Sequence, residues 1–299
     1  MKIKTLLKQN PSYLKGKTAA ISGSTGGLGR ELCRYLASLG ADLILLDRNP
    51  ARSASHAEEL VSKYNIQVKT YTLDLSDFDS VKTCTELLKK EDIDLLIHNA
   101  GAYSIPRKIC STGYDNVFQI NFVSPYYMTK ELLPNLRSRS GRVIAVGSIA
   151  HNYSHIDEND LDFRKRAASS KVYGNSKRHL MFSLYSLFEN EKSATLSIVH
   201  PGITFTNITA HYPKVIFAII KHPMKVIFMK PKKAALSLLA GVFEQTEGCT
   251  WLGPKLFNVW GLPSKKRLKT CPPEEQNEIF RRAEEIYRKL SLLDNLGAM

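Results

Sequence analysis

Two side chains one helical turn apart are the first candidates for chemistry in this sequence. Tyr173 and Lys177 are four residues apart, in a stretch from about residue 169 to 191 that has the length of a helix. An i,i+4 spacing puts both side chains on one helix face. A phenol has a reference pKa near 10, and a neighbouring ammonium lowers it by favouring the phenolate. The pair could act as a general acid or base, although the same spacing is common among surface residues.

Ser148 and Asn121 add two polar groups to this pair. Ser148 ends an apolar run that predicts a strand, and the carboxyl ends of such strands are where open α/β sheets bind ligands. A serine there can hydrogen-bond the oxygen of a reacting alcohol or carbonyl. Asn121 lies in a long predicted helix, where its side chain could instead bond only to its own backbone.

A glycine-rich turn follows the first apolar run of the chain. Glycines let the backbone turn tightly and approach a pyrophosphate, which the N-terminus of the following helix attracts. The glycine spacing differs from the GxGxxG of ordinary dinucleotide folds, and a tight turn between strand and helix needs glycine on steric grounds alone. The candidate cofactor contacts in this turn are Gly23, Thr25, Gly27, Leu28 and Gly29.

Acidic residues end the next two predicted strands. Asp47 comes about twenty residues after the glycine turn, where a carboxylate can accept hydrogen bonds from an adenosine ribose, and this position favours NAD. Arg48 follows directly and could instead bind the 2′-phosphate of NADP. Alternatively, Asp47 and Arg48 only cap the next helix. Asp74 and Leu75 could flank an adenine, although Asp74 alone is nearly as well explained as a helix cap.

The apolar pattern predicts the elements that position these groups. Short β-rich runs alternate with segments of helical length, which is typical of a parallel sheet with right-handed crossovers and helices on both faces. The predicted fold class is α/β, a Rossmann-type doubly wound parallel sheet of about seven strands, in a single domain with a C-terminal helical extension. The predicted strands are 18–22, 42–46, 67–73, 94–98, 142–146, 195–200 and 249–252. The predicted helices between them are 28–38, 50–64, 77–90, 113–136, 169–191 and 232–245.

Six blocks of residues resemble the short-chain dehydrogenase/reductase family. They come in the family's order and approximate spacing over roughly residues 16–253, and they are the glycine turn, Asn99-Ala100-Gly101, Asn121, Ser148, the Tyr173/Lys177 pair and Pro201-Gly202. The resemblance implies a Rossmann fold that binds NAD or NADP and an oxidoreductase that acts on CH-OH groups. The 24 residues between Ser148 and Tyr173 resemble the retinol dehydrogenase-like branch.

The resemblance also implies a role for each block. Tyr173 would be the general acid/base, Lys177 would lower its pKa and hold the nicotinamide ribose, and Ser148 would orient the substrate oxygen. Asn121 would anchor a water that passes the proton onward. The further cofactor contacts would be Asn99, Ala100 and Gly101 on the central strand, and Pro201, Gly202, Ile203 and Thr206 along the nicotinamide.

A non-catalytic NAD(P)-binding sensor or scaffold on the same fold is the main alternative, since a fold alone does not establish activity. Such proteins typically lose the serine, the tyrosine or the lysine, and all three are present here. A sugar epimerase with the same Tyr/Lys pair is disfavoured, because the glycine spacing differs and no sugar-nucleotide domain follows.

The substrate pocket is predicted in three stretches, residues 102–112, residues 151–172 and the segment after Thr206. Residues 215–229 are apolar except for a few basic side chains, which predicts a lid over a bulky apolar alcohol or ketone such as a retinoid, a steroid or a lipid. The same apolar residues could equally pack on the core of their own domain.

The net charge of +14 is the unusual feature of a composition that is otherwise ordinary, with 43% hydrophobic and 23% charged residues. No zinc finger, RNP aromatic pair or continuous basic helix accompanies the charge, so no nucleic-acid partner is predicted. Lysines around the lid and near the N-terminus could contact an anionic membrane. They could also simply be solvated side chains that keep the protein in solution.

Cysteine usage and apolar runs bear on the compartment. Five scattered cysteines without a CxxC pair, no signal peptide and no apolar run of about 18 residues predict a reduced, cytoplasmic protein that contacts membranes at most at its surface. The histidines do not cluster at ligand spacing with cysteines or acids, so no metal site is predicted.

The C-terminal segment is predicted to be helical from Pro272-Pro273-Glu274-Glu275 onward. One apolar stripe along it should pack on its own domain or on a partner subunit, and it consists of Ile279, Ala283, Ile286 and Leu290. The predicted organisation is a basic segment 1–15, a catalytic domain 16–260 with a lid at about 206–231, and the extension 261–299. A homodimer or homotetramer would match the family, and the sequence does not choose between them.

Overall fold

A single β-sheet forms the centre of the fold. The computed structural model describes residues 12–202, 229–268 and 271–297, with side chains as far as residue 292. Within these residues eight strands lie in the order β3-β2-β1-β4-β5-β6-β7-β8. They are β1 Thr18–Ser22, β2 Asp42–Asp47, β3 Val68–Thr72, β4 Leu95–His98, β5 Arg142–Val146, β6 Thr195–Val199, β7 Thr250–Leu256 and β8 Trp260–Arg267. Strands β1 to β7 are parallel to one another, and β8 is antiparallel to β7.

Helices cover both faces of the sheet, as a doubly wound fold requires. They are α1 Gly27–Ser38, α2 Pro50–Tyr64, α3 Phe78–Leu88, α4 Ser124–Ser138, α5 Ser169–Phe188, α6 Pro231–Phe243 and α7 Pro273–Gly297. One hydrophobic core includes Phe118, Phe182 and Ile279 and lies under α3, α4, α5 and α7. A second core includes Leu32 and Leu239 and lies under α1, α2 and α6. The predicted fold class is therefore confirmed.

The strand order reverses between β1 and β4. These two strands are direct neighbours in the sheet although two strands separate them in sequence. The loops that leave them turn to opposite faces, which opens a crevice at the carboxyl edge of the sheet where open α/β folds bind their ligands. The glycine turn follows β1 and Asn99 follows β4, so both predicted motifs lie at this crevice.

Two features of the fold were absent from the prediction. β8 pairs with β7 at the edge of the sheet, so residues 261–267, assigned above to the helical extension, belong to a strand and the helix begins at Pro273. The sequence of β8 contains Gly261 and Pro263. An edge strand tolerates these residues, but they hide the pattern by which a strand is predicted. The predicted helix 113–136 is in fact a short helix at Asn116–Phe118, a π-helical turn at Gln119–Val123 and then α4.

The ends of the chain and the lid are only partly described. The basic segment is described from residue 12, and the lid residues 206–228 lie outside the described residues. Among the helices of the described ranges, none is both long enough and apolar enough to cross a bilayer.

Candidate active site

The turn after β1 brings backbone into contact with backbone. Gly23 has a φ of +70°, and a Cβ on it would lie 3.0 Å from the Cβ of Ala100. A Cβ on Gly29 would lie only 2.2 Å from the carbonyl oxygen of Gly23. The absence of side chains thus lets the turn close over the start of α1, which begins at Gly27 and Leu28. Backbone N–H groups at such a helix start attract a phosphate.

Asp47 ends β2 and binds this turn. Its carboxylate accepts hydrogen bonds from the Thr25 backbone N–H at 3.0 Å and from the Thr25 hydroxyl at 2.9 Å. The hydroxyls of Ser24 and Ser53 also donate to it, the latter at 3.2 Å. The alternative that Asp47 caps the next helix is not what the structure shows, because Asn49 caps α2. Asp47 therefore holds the loop beside which the ribose of a dinucleotide would lie.

The other residues predicted at the adenine end differ in their surroundings. Arg48 is exposed beside Asp47, whereas Leu75 is buried. Asp74 accepts hydrogen bonds from the N–H and the hydroxyl of Ser76, at 2.9 Å and 2.7 Å, and so closes a local turn. Helix α3 is capped by Asp77, so the alternative role of Asp74 as a helix cap does not hold.

Asn99 and Ala100 fasten β4 to the glycine turn. The Asn99 amide donates to the carbonyl oxygens of Ser22 and Gly23 at 2.9 Å and 3.0 Å. The backbone N–H groups of Asn99 and Ala100 both donate to the Ser22 hydroxyl at 3.1 Å. The Oδ1 atom of Asn99 is buried and has no hydrogen-bond partner within the described structure. It is an acceptor that a bound ligand could satisfy.

Asn121 lies in the π-helical turn Gln119–Val123 and is fully buried. Its Oδ1 accepts from the Ala102 N–H at 3.0 Å, and its Nδ2 donates to the Ala102 carbonyl at 2.8 Å and to the Ser176 hydroxyl at 3.1 Å. The side chain thus joins the loop after β4 to helix α5, instead of bonding to its own backbone. Single π turns inside helices are frequent at functional sites.

The side chains of Ser148 and Tyr173 lie close enough for the Ser148 hydroxyl to influence the phenol. Ser148 caps the 3-10 helix Ile149–Tyr153, and its hydroxyl accepts from the Ala150 N–H at 3.2 Å. Burial raises the pKa of Tyr173 to about 12, and the Ser148 hydroxyl opposes this rise. The sequence predicted a lowered pKa for this phenol. Burial outweighs the nearby polar groups here, so the phenol is protonated at neutral pH.

Lys177 lies one turn beyond Tyr173 on α5. Its Nζ donates to the Val146 carbonyl at 2.8 Å and lies 5.8 Å from the centroid of the Tyr173 ring. Burial lowers the pKa of Lys177 to about 8. A Cβ on Gly101 would lie 3.6 Å from this Nζ and 2.9 Å from Oδ1 of Asn121. Gly101 thus lies between the two side chains, and the four predicted catalytic residues surround one region of the crevice.

Pro201 and Gly202 leave β6 at the same edge of the sheet. Gly202 has a φ of +82°, and a Cβ there would lie 2.8 Å from the Val259 carbonyl oxygen. The segment therefore turns close against the β7–β8 connection. Ile203 and Thr206, predicted to contact the nicotinamide, lie outside the described residues.

Tyr103 is a site residue that the sequence analysis did not single out. Its ring packs edge-to-face on that of Tyr173, with the centroids 5.2 Å apart and an angle of 84° between the planes. The side chain is half-buried and lies in one of the predicted pocket stretches. Its position two residues after Gly101 was the available signal.

Polar contacts join two of the predicted pocket stretches. Nε of Arg107 lies 2.9 Å from the Asp115 carboxylate, and its Nη1 donates to the carbonyl of Arg166 at 2.6 Å. The Asp115 N–H donates to Asp162 at 2.8 Å, and Asp162 forms an ion pair of 2.7 Å with Arg164. Residues 102–112 and 151–172 are thus held together by direct contacts.

The residues at this edge fit a nicotinamide dinucleotide. The glycine turn leaves space for a pyrophosphate, the Asp47 carboxylate lies beside this turn, and Asn99 offers an unsatisfied acceptor. Lys177 has three N–H donors, of which Val146 takes one. Across the described residues, no three histidine, cysteine or acidic side chains come together in a way that could hold a metal ion.

Comparison with known proteins supports this description. A family model described as short chain dehydrogenase matches residues 17–214. Retinol dehydrogenase 12 of Mus musculus is 32% identical over 202 residues, which cover 66% of this chain and 64% of that protein, so the chain spans less than two thirds of this relative.

Two solved structures share the fold. A crystal structure of an uncharacterized protein from Mycobacterium paratuberculosis has a TM-score of 0.70 and 23% identity, with 95% of this chain and 96% of that chain covered. A short-chain dehydrogenase from Sphingobium yanoikuyae in complex with NADPH has a TM-score of 0.60 and 21% identity, with 75% and 83% covered.

The similarity to retinol dehydrogenase 12 agrees with the predicted branch of the family. The family model covers more than half of the chain, and its span includes the glycine turn, Asn121, Ser148, Tyr173 and Lys177. This chain belongs to the short-chain dehydrogenase family.

Proposed function

We propose that the chain is an NAD(P)-dependent oxidoreductase that interconverts an alcohol with a ketone or aldehyde, with Tyr173 as the general acid/base. The observation that carries the proposal is the proximity of Ser148 and Tyr173, with Nζ of Lys177, one helical turn away, 5.8 Å from the centroid of the Tyr173 ring. The two hydroxyls converge at the edge of the crevice, where the oxygen of an alcohol or carbonyl could bond to both. Bound NAD(P) would supply or accept the hydride.

The side chains have separate tasks in this proposal. In the direction of reduction, the protonated phenol of Tyr173 donates its proton to the carbonyl oxygen while Ser148 holds that oxygen by a hydrogen bond. In the direction of oxidation, the Tyr173 phenol first releases its own proton to solvent, and the phenolate oxygen then accepts the hydroxyl proton of the alcohol. Lys177 favours the phenolate electrostatically once its ammonium is charged, and Asn121 holds the backbone of the loop after β4 in place.

Replacing Tyr173 by Phe tests this function. The ring and its packing on Tyr103 stay, and only the acid/base oxygen is lost. We expect kcat to fall by roughly 10²- to 10⁴-fold, while the Kd of the cofactor, measured by fluorescence titration, stays nearly unchanged. Tyr185→Phe is the matched control, because it removes another buried hydroxyl from the same helix, one that bonds to the Thr250 carbonyl.

The outcome separates an enzyme from a sensor. Turnover that survives in Tyr173→Phe would contradict the assignment of the general acid/base. A wild-type chain that binds NAD(P) yet turns over no alcohol or carbonyl in a broad screen would favour the non-catalytic alternative.

For the cofactor we propose NAD in preference to NADP. Asp47 is 4% exposed, and the hydrogen bonds described above reach its carboxylate beside the ribose site from neutral donors, without a cation among them. A 2′-phosphate would be repelled there. The exposed Arg48 is the feature that favours NADP. Calorimetric titration of NAD⁺ and NADP⁺ decides between them, and tighter binding of NADP⁺ would overturn the proposal.

For the substrate we propose a bulky apolar alcohol or ketone, such as a retinoid, a steroid or a lipid. The named relative is a retinol dehydrogenase. In this chain the ring of Tyr103 packs edge-to-face on that of Tyr173, and Ile105 packs against a buried cluster that includes Phe163 and Val172 of the second pocket stretch. We expect a higher kcat/KM for apolar carbonyls of retinoid size than for polyols. A preference for small polyols would refute this assignment.

We also propose surface contact with an anionic membrane by a cytoplasmic protein. The connection between β7 and β8 exposes Leu256 and Phe257, 55% and 85% exposed, and Lys255 and Lys265 lie in the same two strands. Exposed apolar side chains flanked by cations fit an interface with anionic headgroups. Co-sedimentation with anionic vesicles at low salt, lost in a Phe257→Ser variant, would support this contact.

Sedimentation velocity would establish whether the chain is a dimer or a tetramer.

A further inference from the structure

Arg178 is a buried charge that the proposed chemistry does not use. It follows Lys177 on α5 and is 3% exposed. Its Nη1 donates to the carbonyl of His151 at 3.1 Å, and its Nε donates to Glu275 at 2.7 Å. Its Nη2 also forms an ion pair with Glu275 at 2.5 Å and lies 3.4 Å from Sγ of Cys271. One guanidinium thus contacts the 3-10 helix after Ser148 and the start of the C-terminal helix.

Glu275 lies in the first turn of α7 and completes the contact from the other side. Besides Arg178 it accepts a hydrogen bond from the Ile156 backbone N–H at 3.0 Å, and the His155 imidazole lies 3.4 Å away. Burial alone would raise the pKa of Glu275, but the hydrogen bonds from Arg178 and Ile156 hold it at about 2. The carboxylate is therefore charged at any pH at which the protein is used.

These contacts lead directly to the catalytic serine. The carbonyl oxygen of Ser148 accepts a hydrogen bond from the His151 backbone N–H at 3.2 Å and lies 2.6 Å from Nδ1 of the same histidine. The carbonyl of His151 in turn accepts from Arg178. The segment 148–156 is thus fastened to α5 and α7 at His151 and at Ile156. Tyr173 projects from the same helix α5, five residues before Arg178.

We propose that Arg178 and Glu275 are positioning residues, through which the C-terminal helix fixes the position of Ser148 relative to Tyr173. This inference rests on the proposed function, since it concerns the geometry of the same acid/base pair. A displacement of about 1 Å in a reacting group can lower a rate by roughly 10²-fold. The contacts that fix Ser148 relative to Tyr173 therefore affect the reaction rate, although neither Arg178 nor Glu275 touches the reacting atoms.

A purely stabilising role is the competing explanation for this pair. A buried ion pair contributes little net stability compared with apolar side chains of similar volume, because both charges lose their hydration. Breaking it by removing one partner is nevertheless destabilising. Loss of stability in a variant therefore does not distinguish the two explanations, and the test needs a readout that stability alone would not change.

Glu284→Ala provides the matched control for Glu275→Ala. Glu284 lies on the same helix and also joins it to the domain, by accepting from Tyr126 at 2.6 Å and from Lys130 at 2.9 Å, but its partners belong to α4. We expect Glu275→Ala to lower kcat at least tenfold with an unchanged cofactor Kd, and Glu284→Ala to leave kcat within about twofold. Glu275→Gln keeps an acceptor for Ile156, so its kcat should be intermediate.

Hydrogen–deuterium exchange tests the positioning without turnover. Amides of residues 149–156 should exchange faster in Glu275→Ala than in the wild-type chain, and those in Glu284→Ala should not. Unchanged exchange in this segment, or an equal loss of kcat in both variants, would overturn the proposal. If the wild-type chain turns over no substrate, the proposed function fails, while the exchange measurement still decides whether Glu275 holds this segment.

Discussion

At the residue scale, burial acts in opposite directions on the two ionisable side chains of the site. It raises the pKa of Tyr173 to about 12 and lowers that of Lys177 to about 8, because in both cases the neutral form is cheaper to bury. At pH 8 the Tyr173 phenol is therefore neutral and Lys177 is partly neutral, whereas a free lysine side chain would still be charged. A charge that binds beside these side chains would change both pKa values. Binding of a charged cofactor would therefore be linked to the proposed acid/base chemistry.

The lowered pKa of Lys177 predicts a pH-dependent stability. Between pH 8 and pH 10.5, its ordinary value, the unfolded chain still binds the proton that the folded protein has released, so this side chain makes stability rise with pH. Lys177→Met removes that dependence. The stability of the variant relative to wild type should be highest below pH 8 and should fall by up to about 3 kcal/mol as the pH approaches 10.5.

Urea unfolding of both proteins at a series of pH values measures this difference. The Val146 carbonyl loses a hydrogen-bond donor in the variant at every pH, so that loss adds a constant offset and no slope. Groups that Lys177 does not influence titrate equally in the two proteins and cancel, and His98, whose pKa is lowered to about 3 by burial and by Lys177, titrates below the pH range of the test. A relative stability that stays constant from pH 7 to pH 11 would show that Lys177 keeps its ordinary pKa in the folded chain.

The sequence predicted which side chains lie together at the site, but not their pKa values. Ser148, Tyr173 and Lys177 could be found because strand ends and an i,i+4 spacing determine where such side chains lie. The raised pKa of Tyr173 depends on burial, to which remote segments contribute, and no local pattern reports it. The same applies to the contact between Arg178 and Glu275, which are 97 residues apart.

At the element scale, the turn between β1 and α1 offers the clearest steric test. A Cβ on Gly29 would lie 2.2 Å from the Gly23 carbonyl oxygen, a distance that forces the backbone to move. A Cβ on Gly26 would lie 3.4 Å from the same oxygen, which is ordinary contact. Gly29→Ala should therefore raise the cofactor Kd at least tenfold and lower the thermal midpoint, and Gly26→Ala should do far less of both.

Titration of the cofactor and a thermal melt of the two variants check this prediction. Both substitutions add one methyl group to the same turn, so they differ mainly in what that methyl meets. Equal effects in Gly29→Ala and Gly26→Ala would show that the close approach of backbone is unimportant for binding.

Regular elements were predictable where one physical pattern dominates. Strands β1, β2, β4, β5 and β6 are mostly buried apolar runs, whereas β3 at the edge of the sheet is largely exposed and β7 is buried only in its first part. The structure places each of the seven within a few residues of its predicted bounds. β8 escaped prediction because its position at the edge of the sheet, next to β7, tolerates glycine, proline and charge. The π-helical turn around Asn121 escaped because one extra residue in a helical turn leaves the apolar period almost unchanged.

At the scale of the whole molecule, the C-terminal helix is part of the domain that contains the site. Its apolar stripe lies in the same core as Phe118 and Phe182, and Glu275 at its start contacts helix α5. Tyr126 and Lys130 bind it a second time through Glu284. The sequence left open whether this stripe packs on its own domain or on a partner subunit, and the structure shows that it packs on its own domain.

This integration predicts that an apolar substitution in the extension destabilises the whole fold. Ile279 is 0% exposed, so Ile279→Ala leaves a cavity in the core and should cost about 2 to 5 kcal/mol. Leu292 lies on the same helix and is 61% exposed, so Leu292→Ala should change stability by no more than about 0.5 kcal/mol. Urea unfolding followed by both tryptophan fluorescence and circular dichroism should show a single shifted transition for Ile279→Ala. Two separate transitions would mean that the helix unfolds independently of the domain, and Glu275 could then not fix the position of Ser148.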